Sequence, residues 1–466
     1  MAEPKFLTGN LMRHVAVMSF TGSVGLMALF VVDFVDLIFI SMLGQAELAA
    51  AVGYASAILF FTTSVGIGLS ITMAALVARS LGAREPDRAR RYATNVLVFG
   101  FLLACTLSVF VWVLVPSILT LLGATGRTLS LATDYLRIIV PSMPILVIGM
   151  GGVAILRAHG NASRAMWATI IGGIVNAILD PVFIFALAFE LNGAAMASVL
   201  SRLAVLVTAY RSVFRYHGGL APFDAAALRE DVPAICGLAI PAVLTNIATP
   251  IGNAYVTSAM APFGDAAIAG MAIVGRLTPV AFGVVFALSG AIGPIVGQNF
   301  GAGEWARVRQ TMVEGLRFVV GFVLVVTVLL VLLRGPLSTL FDAEGQTRDL
   351  LFLFCGPLAL AFAFNGALFA SNAAFNNLNR PYYSTWLNWG RNTLGTVPLV
   401  TVGAVLGDAQ GVLIGQALGG VVFGVLAVWM SFRLIKAYGD GRIVPGERCP
   451  AFRWPFPLNP FSTHRG

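Results

Sequence analysis

Between Val15 and Leu43 the chain carries only two charged residues, Asp33 and Asp36, in a run otherwise built of apolar and small polar side chains. A helix needs about 20 such residues to cross a hydrocarbon core. Comparable stretches recur to the end of the chain. Twelve spans are expected, at 14–43, 48–78, 92–122, 132–156, 163–189, 193–214, 233–262, 266–299, 309–333, 350–376, 382–406 and 410–435. Charged residues make up 11% of the chain and the mean hydropathy is +0.88, where soluble domains carry about 25% charge. These values exclude a soluble fold and predict an all-α polytopic membrane protein.

The basic residues follow the spans. Arg79, Arg84, Arg88, Arg90 and Arg91 lie in or beside the loop after the second span, and alternate loops carry Arg157 and Arg164, Arg211 and Arg215, Arg307 and Arg309, and Arg380. The intervening loops hold little beyond Arg127, Arg334 and Arg348. The bias places both termini in the cytoplasm, in a plasma membrane or a bacterial inner membrane. It also accounts for the net charge of +8 without nucleic acid as a partner. Lys5 and Arg13 precede an apolar run longer than the roughly 7–15 residues of a signal h-region, so a first membrane helix is expected rather than a cleavable signal. Cys105, Cys236, Cys355 and Cys449 show no paired spacing, and the four histidines are scattered. Neither a disulfide framework nor a metal centre is expected.

The chain repeats itself. LVARSLGAREPDRARR (76–91) is similar to IVGQNFGAGEWARVRQ (295–310), and Gly82, Ala83 and Glu85 match Gly301, Ala302 and Glu304 at a shift of 219. Thr120, Gly126 and Trp167 match Thr339, Gly345 and Trp386 at the same shift. Six spans form one unit, and six is even, so the two copies share an orientation. They are expected to be six-helix lobes related by a pseudo-two-fold axis along the membrane normal, with a central cavity between them. The units are an N-terminal lobe (1–214), a cytoplasmic linker (215–232), a C-terminal lobe (233–437) and a cytoplasmic tail (438–466).

The stretches VDLIFISMLG, GIGLSITMAALVARSLGA, RAHGNASRAMWATIIGGIVNAILDPVFIF and GPIVGQNFGAGEWARVR resemble, in order and over nearly the whole chain, the multidrug and toxic compound extrusion (MATE) transporters. The resemblance implies a secondary efflux antiporter in which drugs, organic cations or metabolites leave as protons or sodium ions enter. The family's first-helix acid falls on Asp36. The fifth-helix NxxxD of the DinF-like branch falls on Asn176 and Asp180, and a helix 6 hydroxyl of that branch falls on Ser198. Acids that the NorM-like branch carries on helices 7 and 10 have no counterpart here, which implies coupling in the N-terminal lobe alone. The proline that the family usually has early in helix 1 is replaced by the run SFTGSVG, while helix 7 keeps Pro241.

A carboxylate in mid-membrane costs about 2.5–3.5 kcal/mol on insertion scales and marks a functional site by default. Asp36 lies eight residues before Gly44 and Asp180 ten before Glu190, which is about 12 and 15 Å of helical rise from the same side. The two acids thus share a depth, and Asn176 lies on the face of Asp180 one turn away. Two carboxylates in a dry pocket cannot both stay ionised, and the same oxygens suit sodium equally well. Asp33 is an accessory proton site, a cation attractor facing the cavity, or a partner for a basic residue. The shift of 219 sets Tyr255 against Asp36 and Leu399 against Asp180, so coupling is expected to be asymmetric. The C-terminal lobe offers Asn253, Tyr255, Phe364, Asn372, Asn376 and Trp389 as a polar and aromatic substrate wall, or as interhelical glue. Arg276 and Arg391 read as buried residues bonded to helix ends or carbonyls. No Walker A pattern is present, and no aspartyl-protease pair such as YD with GxGD. The chain is thus read as a non-enzyme without cofactor, a monomer whose partners are small-molecule substrates and membrane lipid. The alternative is a flippase for lipid-linked precursors, which would need a strongly basic cavity.

Overall fold

A backbone in hydrocarbon has no water to satisfy its N–H and C=O groups, so a span of this chain must be helical. The computed structural model describes residues 4–43 and 45–443. The tail from 444 onward and the side chain of Asp33 lie outside the described residues. Ten helices follow one another: α1 (Leu11–Met42), α2 (Ala46–Gly82), α3 (Pro86–Leu121), α4 (Gly126–Ala158), α5 (Ala162–Ala186), α6 (Glu190–Tyr216), α7 (Ala225–Phe263), α8 (Asp265–Gly301), α9 (Trp305–Leu340) and α10 (Gly345–Asn377). A last stretch, Pro381–Gly439, is 59 residues long, more than two crossings need at about 20 residues each. It folds back where Gly407 and Asp408 leave helical geometry, Asp408 with φ at 49°. Gly403 and Gly411 then face each other so closely that a Cβ on either would stand 2.1 or 1.9 Å from the other's carbonyl oxygen. This hairpin separates α11 (381–406) from α12 (409–439) and completes twelve crossings. The chain is an integral membrane protein.

The lobes α1–α6 and α7–α12 are packed alike. In the first, Gly173 of α5 lets α1 approach, with Val32 Cγ2 at 3.2 Å from where a Cβ would be. In the second, Gly252 of α7 receives the side chain of Asn392 from α11. Positions 173 and 392 are 219 apart, and Val32 falls one residue from the counterpart of Gly252, so the same two helices meet at the same level with the small residue moved to the other partner. Thr385 of α11 donates to the carbonyl of Pro241 in α7 at 2.9 Å, which ties this pair beside the kink-forming proline. The lobe interiors hold large apolar side chains, among them Met73, Leu136 and Leu156 in the first and Phe282, Leu288 and Phe375 in the second.

The lobes meet tightly at the end that carries the basic loops. A Cβ on Gly82 would stand 1.9 Å from the Gln298 carbonyl oxygen, and one on Gly301 would stand 2.0 Å from that of Arg79. These two glycines and these two carbonyl residues are each 219 apart, so α2 and α8 cross on the pseudo-symmetry axis. Arg79 donates across the junction to the Asn376 carbonyl at 3.1 Å and to the Asn379 side chain. Gln298 does the same in the other direction, to the Ala158 carbonyl at 2.8 Å. The segment before α1 straps this junction. Lys5 Nζ donates to the Gly160 carbonyl in the first lobe at 2.8 Å. Phe6 is buried, its N–H donates to Gln298 Oε1 at 2.9 Å, and its carbonyl accepts from Asn299 and Arg307 of the second lobe. Toward the far end α1 and α8 touch at Gly22 and Ala287 and at Met27 and Gly283. Beyond that level Val31 and Phe34 of α1 and Val280 of α8 are exposed.

Beside the basic end His217 stacks on His159 with ring centroids 4.2 Å apart. Burial, then the neighbouring His159 and Arg164, push the His217 imidazole down to about 4 from its ordinary 6.5. The folded protein therefore holds this ring neutral. The resulting stability is complete above pH 6.5, where the unfolded chain is also neutral, and is lost as pH falls toward 4.

Two outcomes follow from this packing. Gly301→Val admits no closed junction, so a cysteine at buried Ala78, in a background free of other cysteines, is alkylated at least about tenfold faster than in the closed parent, as local opening free energies of a few kcal/mol require. The melting temperature falls between pH 6.5 and 4.5, and His217→Phe reduces that fall.

Candidate coupling-ion site

Asp36 sits on the half of α1 farther from the basic loops, and Asn176 and Asp180 on the last two turns of α5 before Pro181. α1 and α5 approach because the facing positions are small: a Cβ on Gly25 would meet Thr169, and one on Gly173 would meet Val32. The four-residue spacing of Asn176 and Asp180 puts their side chains one above the other. Asn176 Nδ2 donates to Asp180 Oδ2 at 2.7 Å and to Asp36 Oδ1 at 3.2 Å. One amide thus uses both of its hydrogens to hold two carboxyl groups from different helices.

The pocket is dry on the Asp180 side. Asp180 is 0% exposed and Asn176 3%, while Asp36 is half-buried. Oδ1 of Asp180 is buried and accepts no hydrogen bond from any N–H or hydroxyl among the described residues. The Asp36 and Asp180 carboxyl groups are neighbours because both accept from the one Asn176 amide nitrogen. An orphan acceptor beside a second carboxyl group is the geometry in which a proton or a small cation relieves two desolvated charges at once. The oxygens available are those of the two acids and the Asn176 carbonyl, a hard-donor set that also suits sodium.

Ser198 on α6 is half-buried and makes no hydrogen bond to these three among the described residues. Ser201, one turn on, donates instead to the Gly172 carbonyl at 2.8 Å. Asp33 lies three residues before Asp36, with its side chain outside the described ones.

In the other lobe Tyr255 and Leu399 occupy the positions that match Asp36 and Asp180, and the Tyr255 hydroxyl contacts Thr401 Oγ1 at 2.7 Å, two residues beyond Leu399. Asn253 is exposed, Phe364 half-buried, and Trp389 donates from Nε1 to the Leu244 carbonyl at 3.0 Å. Asn372 and Asn376 are buried, and Asn372 Oδ1 accepts from Asn388 at 3.1 Å, which places them among packed helices. Arg391 reads as expected, bonded to Asn365 Oδ1 at 2.6 Å. Arg276 does not: it is exposed on α8. Its sequence neighbours are apolar, and only the splay of α1 from α8, a tertiary feature, leaves it uncovered.

The MatE family model matches residues 23–182 and again 241–402, once in each lobe. The chain is 28% identical over 425 residues to the FAD transporter of Shewanella oneidensis, an alignment that covers 90% of this chain and 94% of that one. It is 25% identical over 299 residues to the probable multidrug resistance protein YoeA of Bacillus subtilis, covering 62% of this chain and 63% of the other. The fold is similar to that of the Vibrio cholerae MATE transporter VcmN in its bent form, with a TM-score of 0.87 at 23% identity over 92% of this chain and 98% of that one.

The bridging geometry makes a spectroscopic prediction. A pH jump gives an infrared difference band from a protonated carboxyl group, which is absent in both Asp36→Asn and Asp180→Asn and displaced in Asn176→Leu. A band that survives in both acid variants would place the titrating group elsewhere.

Proposed function

From the premise that this chain belongs to the MatE family, and is therefore a transporter rather than an enzyme, we propose that it is a secondary efflux antiporter driven by an inward ion gradient. The observation that carries the reading is the buried, unpartnered Oδ1 of Asp180 beside Asp36, joined to it through Asn176. A proton or sodium ion that enters there neutralises charge in a region where an unpaired carboxylate is expensive. The cycle alternates a central cavity between two faces. The basic end is the cytoplasmic one, so the state described is closed to the cytoplasm and splayed toward the outside. In this state Asp36 takes up the ion from outside as substrate leaves.

Opening inward requires α2 and α8 to part at Gly82 and Gly301 and the Lys5–Phe6 strap to let go. Ion binding favours that change only if it stabilises the inward-open state more than the outward-open one. The Asp36 and Asp180 carboxyl groups sit on two helices of one lobe, so neutralising them changes how α1 seats on α5. The C-terminal lobe has Tyr255 and Leu399 at the matching positions and supplies no carboxylate there. The substrates are drugs, organic cations or metabolites. The Shewanella relative bears the name FAD transporter, which adds an anionic flavin nucleotide to the candidates. Ser198 and Asp33 are accessory to the site, and Asn253, Tyr255, Phe364 and Trp389 line the substrate path.

The test is efflux from proteoliposomes with a pH gradient or a sodium gradient imposed separately. The expected result is that one gradient drives efflux, and that Asp36→Asn and Asp180→Asn bring it to background while substrate still binds. Parent protein that responds to neither gradient, or variants that transport normally, would remove the coupling role of the N-terminal lobe.

A further inference from the structure

Arg276 is a cation deep in the outer half of α8, and its surroundings do not account for it. It lies eleven residues after Asp265, the outermost residue of the helix, so about 16 Å of rise separates it from that end. The charge of an arginine within a span costs up to about 2.5–3.5 kcal/mol on insertion scales unless it meets water or a partner. Among the described residues its guanidinium makes no hydrogen bond, ion pair or ring contact, and the residue is exposed. Other arginines as far from a helix end have partners: Arg202 bonds Ser142 Oγ and the Ile139 carbonyl, Arg391 bonds Asn365, Arg137 lies 5.4 Å from the centre of the Trp112 ring, and Arg317 pairs with Glu314.

α8 leaves helical geometry at Phe282, between Arg276 and the Gly283 and Ala287 that touch Met27 and Gly22 of α1, so the outer part of the helix is taken by itself. There Ile273, Val274 and Leu277 pack against the core of their own lobe and Gly270 meets Leu350. Arg276 and Val280, four residues apart on the remaining flank, are exposed, Val280 to 59%. A charged residue within a span faces a water-filled cavity in preference to lipid tails, which assigns this flank to the cleft. Across from it the α1 wall is apolar and aromatic, with Val31 and Phe34 exposed. In the antiparallel pairing set by Met27–Gly283, position 276 stands level with position 34. The carboxyl group of Asp36 is turned away from that wall toward Asn176 of α5.

We propose that Arg276 is a substrate-binding residue of the outward-open cleft, and that the substrate class it selects is an organic anion: a phosphate or carboxylate carried on an apolar, flat body. The guanidinium forms a bidentate pair with the anionic group, while Phe34 and the valines cover the apolar part. This proposal rests on the antiporter reading for the cleft's role and names what fills it.

The test compares three fluorescent probes in nanodiscs of phosphatidylcholine: flavin mononucleotide, neutral riboflavin and cationic ethidium. The parent is expected to bind flavin mononucleotide at least about tenfold more tightly than riboflavin, a factor one charge-assisted pair supplies. Arg276→Gln removes that preference and leaves riboflavin and ethidium unchanged, and Arg276→Lys restores part of it. Unaltered flavin mononucleotide binding in Arg276→Gln, or a parent that prefers ethidium, would overturn the assignment. Equal losses for all three probes in Arg276→Gln and Asp33→Asn would make the arginine an ion-pair partner of Asp33 and overturn it too. Displacement of the nucleotide by phosphatidylglycerol added to the discs, with the same dependence on Arg276, would assign the site to a lipid headgroup and overturn the soluble-substrate class. The antiport reading is scored separately, by ion-gradient drive in Asp36→Asn: anion binding without gradient drive removes antiport and leaves Arg276 in place, and gradient-driven efflux of ethidium with no Arg276 effect does the reverse.

Discussion

The structure depends on the cost of keeping a carboxylate out of water. Asp180 is wholly buried near the end of α5, one of its oxygens held by Asn176 and the other by nothing among the described residues. A hydrogen-bonded neutral amide offsets part of that cost, and a single proton or cation shared with Asp36 offsets much of the rest. Asp36 comes from a different helix, so in the proposed cycle occupancy of this one pocket sets how α1 seats against α5, and α1 also touches the opposite lobe, at Gly22 and Met27.

The second constraint is the duplicated scaffold. A crossing on a pseudo-two-fold axis presents the same residue twice, and only glycine lets two helices approach to carbonyl contact there. Gly82 and Gly301 occupy that point, and the Arg79 and Gln298 side chains secure it from each side. The closed junction is thus nearly symmetric, whereas the chemistry is not: Asp36 and Asp180 in one lobe match Tyr255 and Leu399 in the other, and the Arg276 guanidinium on α8 has no partner among the described residues. In the proposed cycle the symmetric part is the hinge between two comparable states, and the asymmetric part decides which ion drives it and what is carried.

Much of this was legible in the sequence, for physical reasons. Hydrocarbon permits so few structures that the twelve spans follow from hydropathy, and the repeat follows from matches such as Gly82 with Gly301. Asp36, Asn176 and Asp180 could be brought together because helical rise fixes depth and the four-residue spacing fixes a face. What was hidden depends on contacts between distant segments. The Gly82–Gly301 match announced a repeat but gave no sign that the two glycines touch opposing carbonyls. The Lys5–Phe6 strap has no periodicity to betray it. Arg276 was expected to be buried, and its exposure comes from the splay of α1 and α8 above Met27, which no local pattern encodes. Ser198 showed the converse: its helix position is right, but the hydroxyl bond between α5 and α6 is made by Ser201.

The central claim is that ion occupancy at Asp36, Asn176 and Asp180 sets the relation between the lobes. The most direct measurement is the distance between spin labels at Leu121 and Leu340, equivalent and highly exposed positions at the far ends of α3 and α9, by double electron–electron resonance. The account predicts a distance distribution that shifts with pH or with sodium in the parent and stays fixed in Asp36→Asn and in Asp180→Asn. A distribution indifferent to both ions in the parent, or one that shifts equally in the two variants, would contradict it.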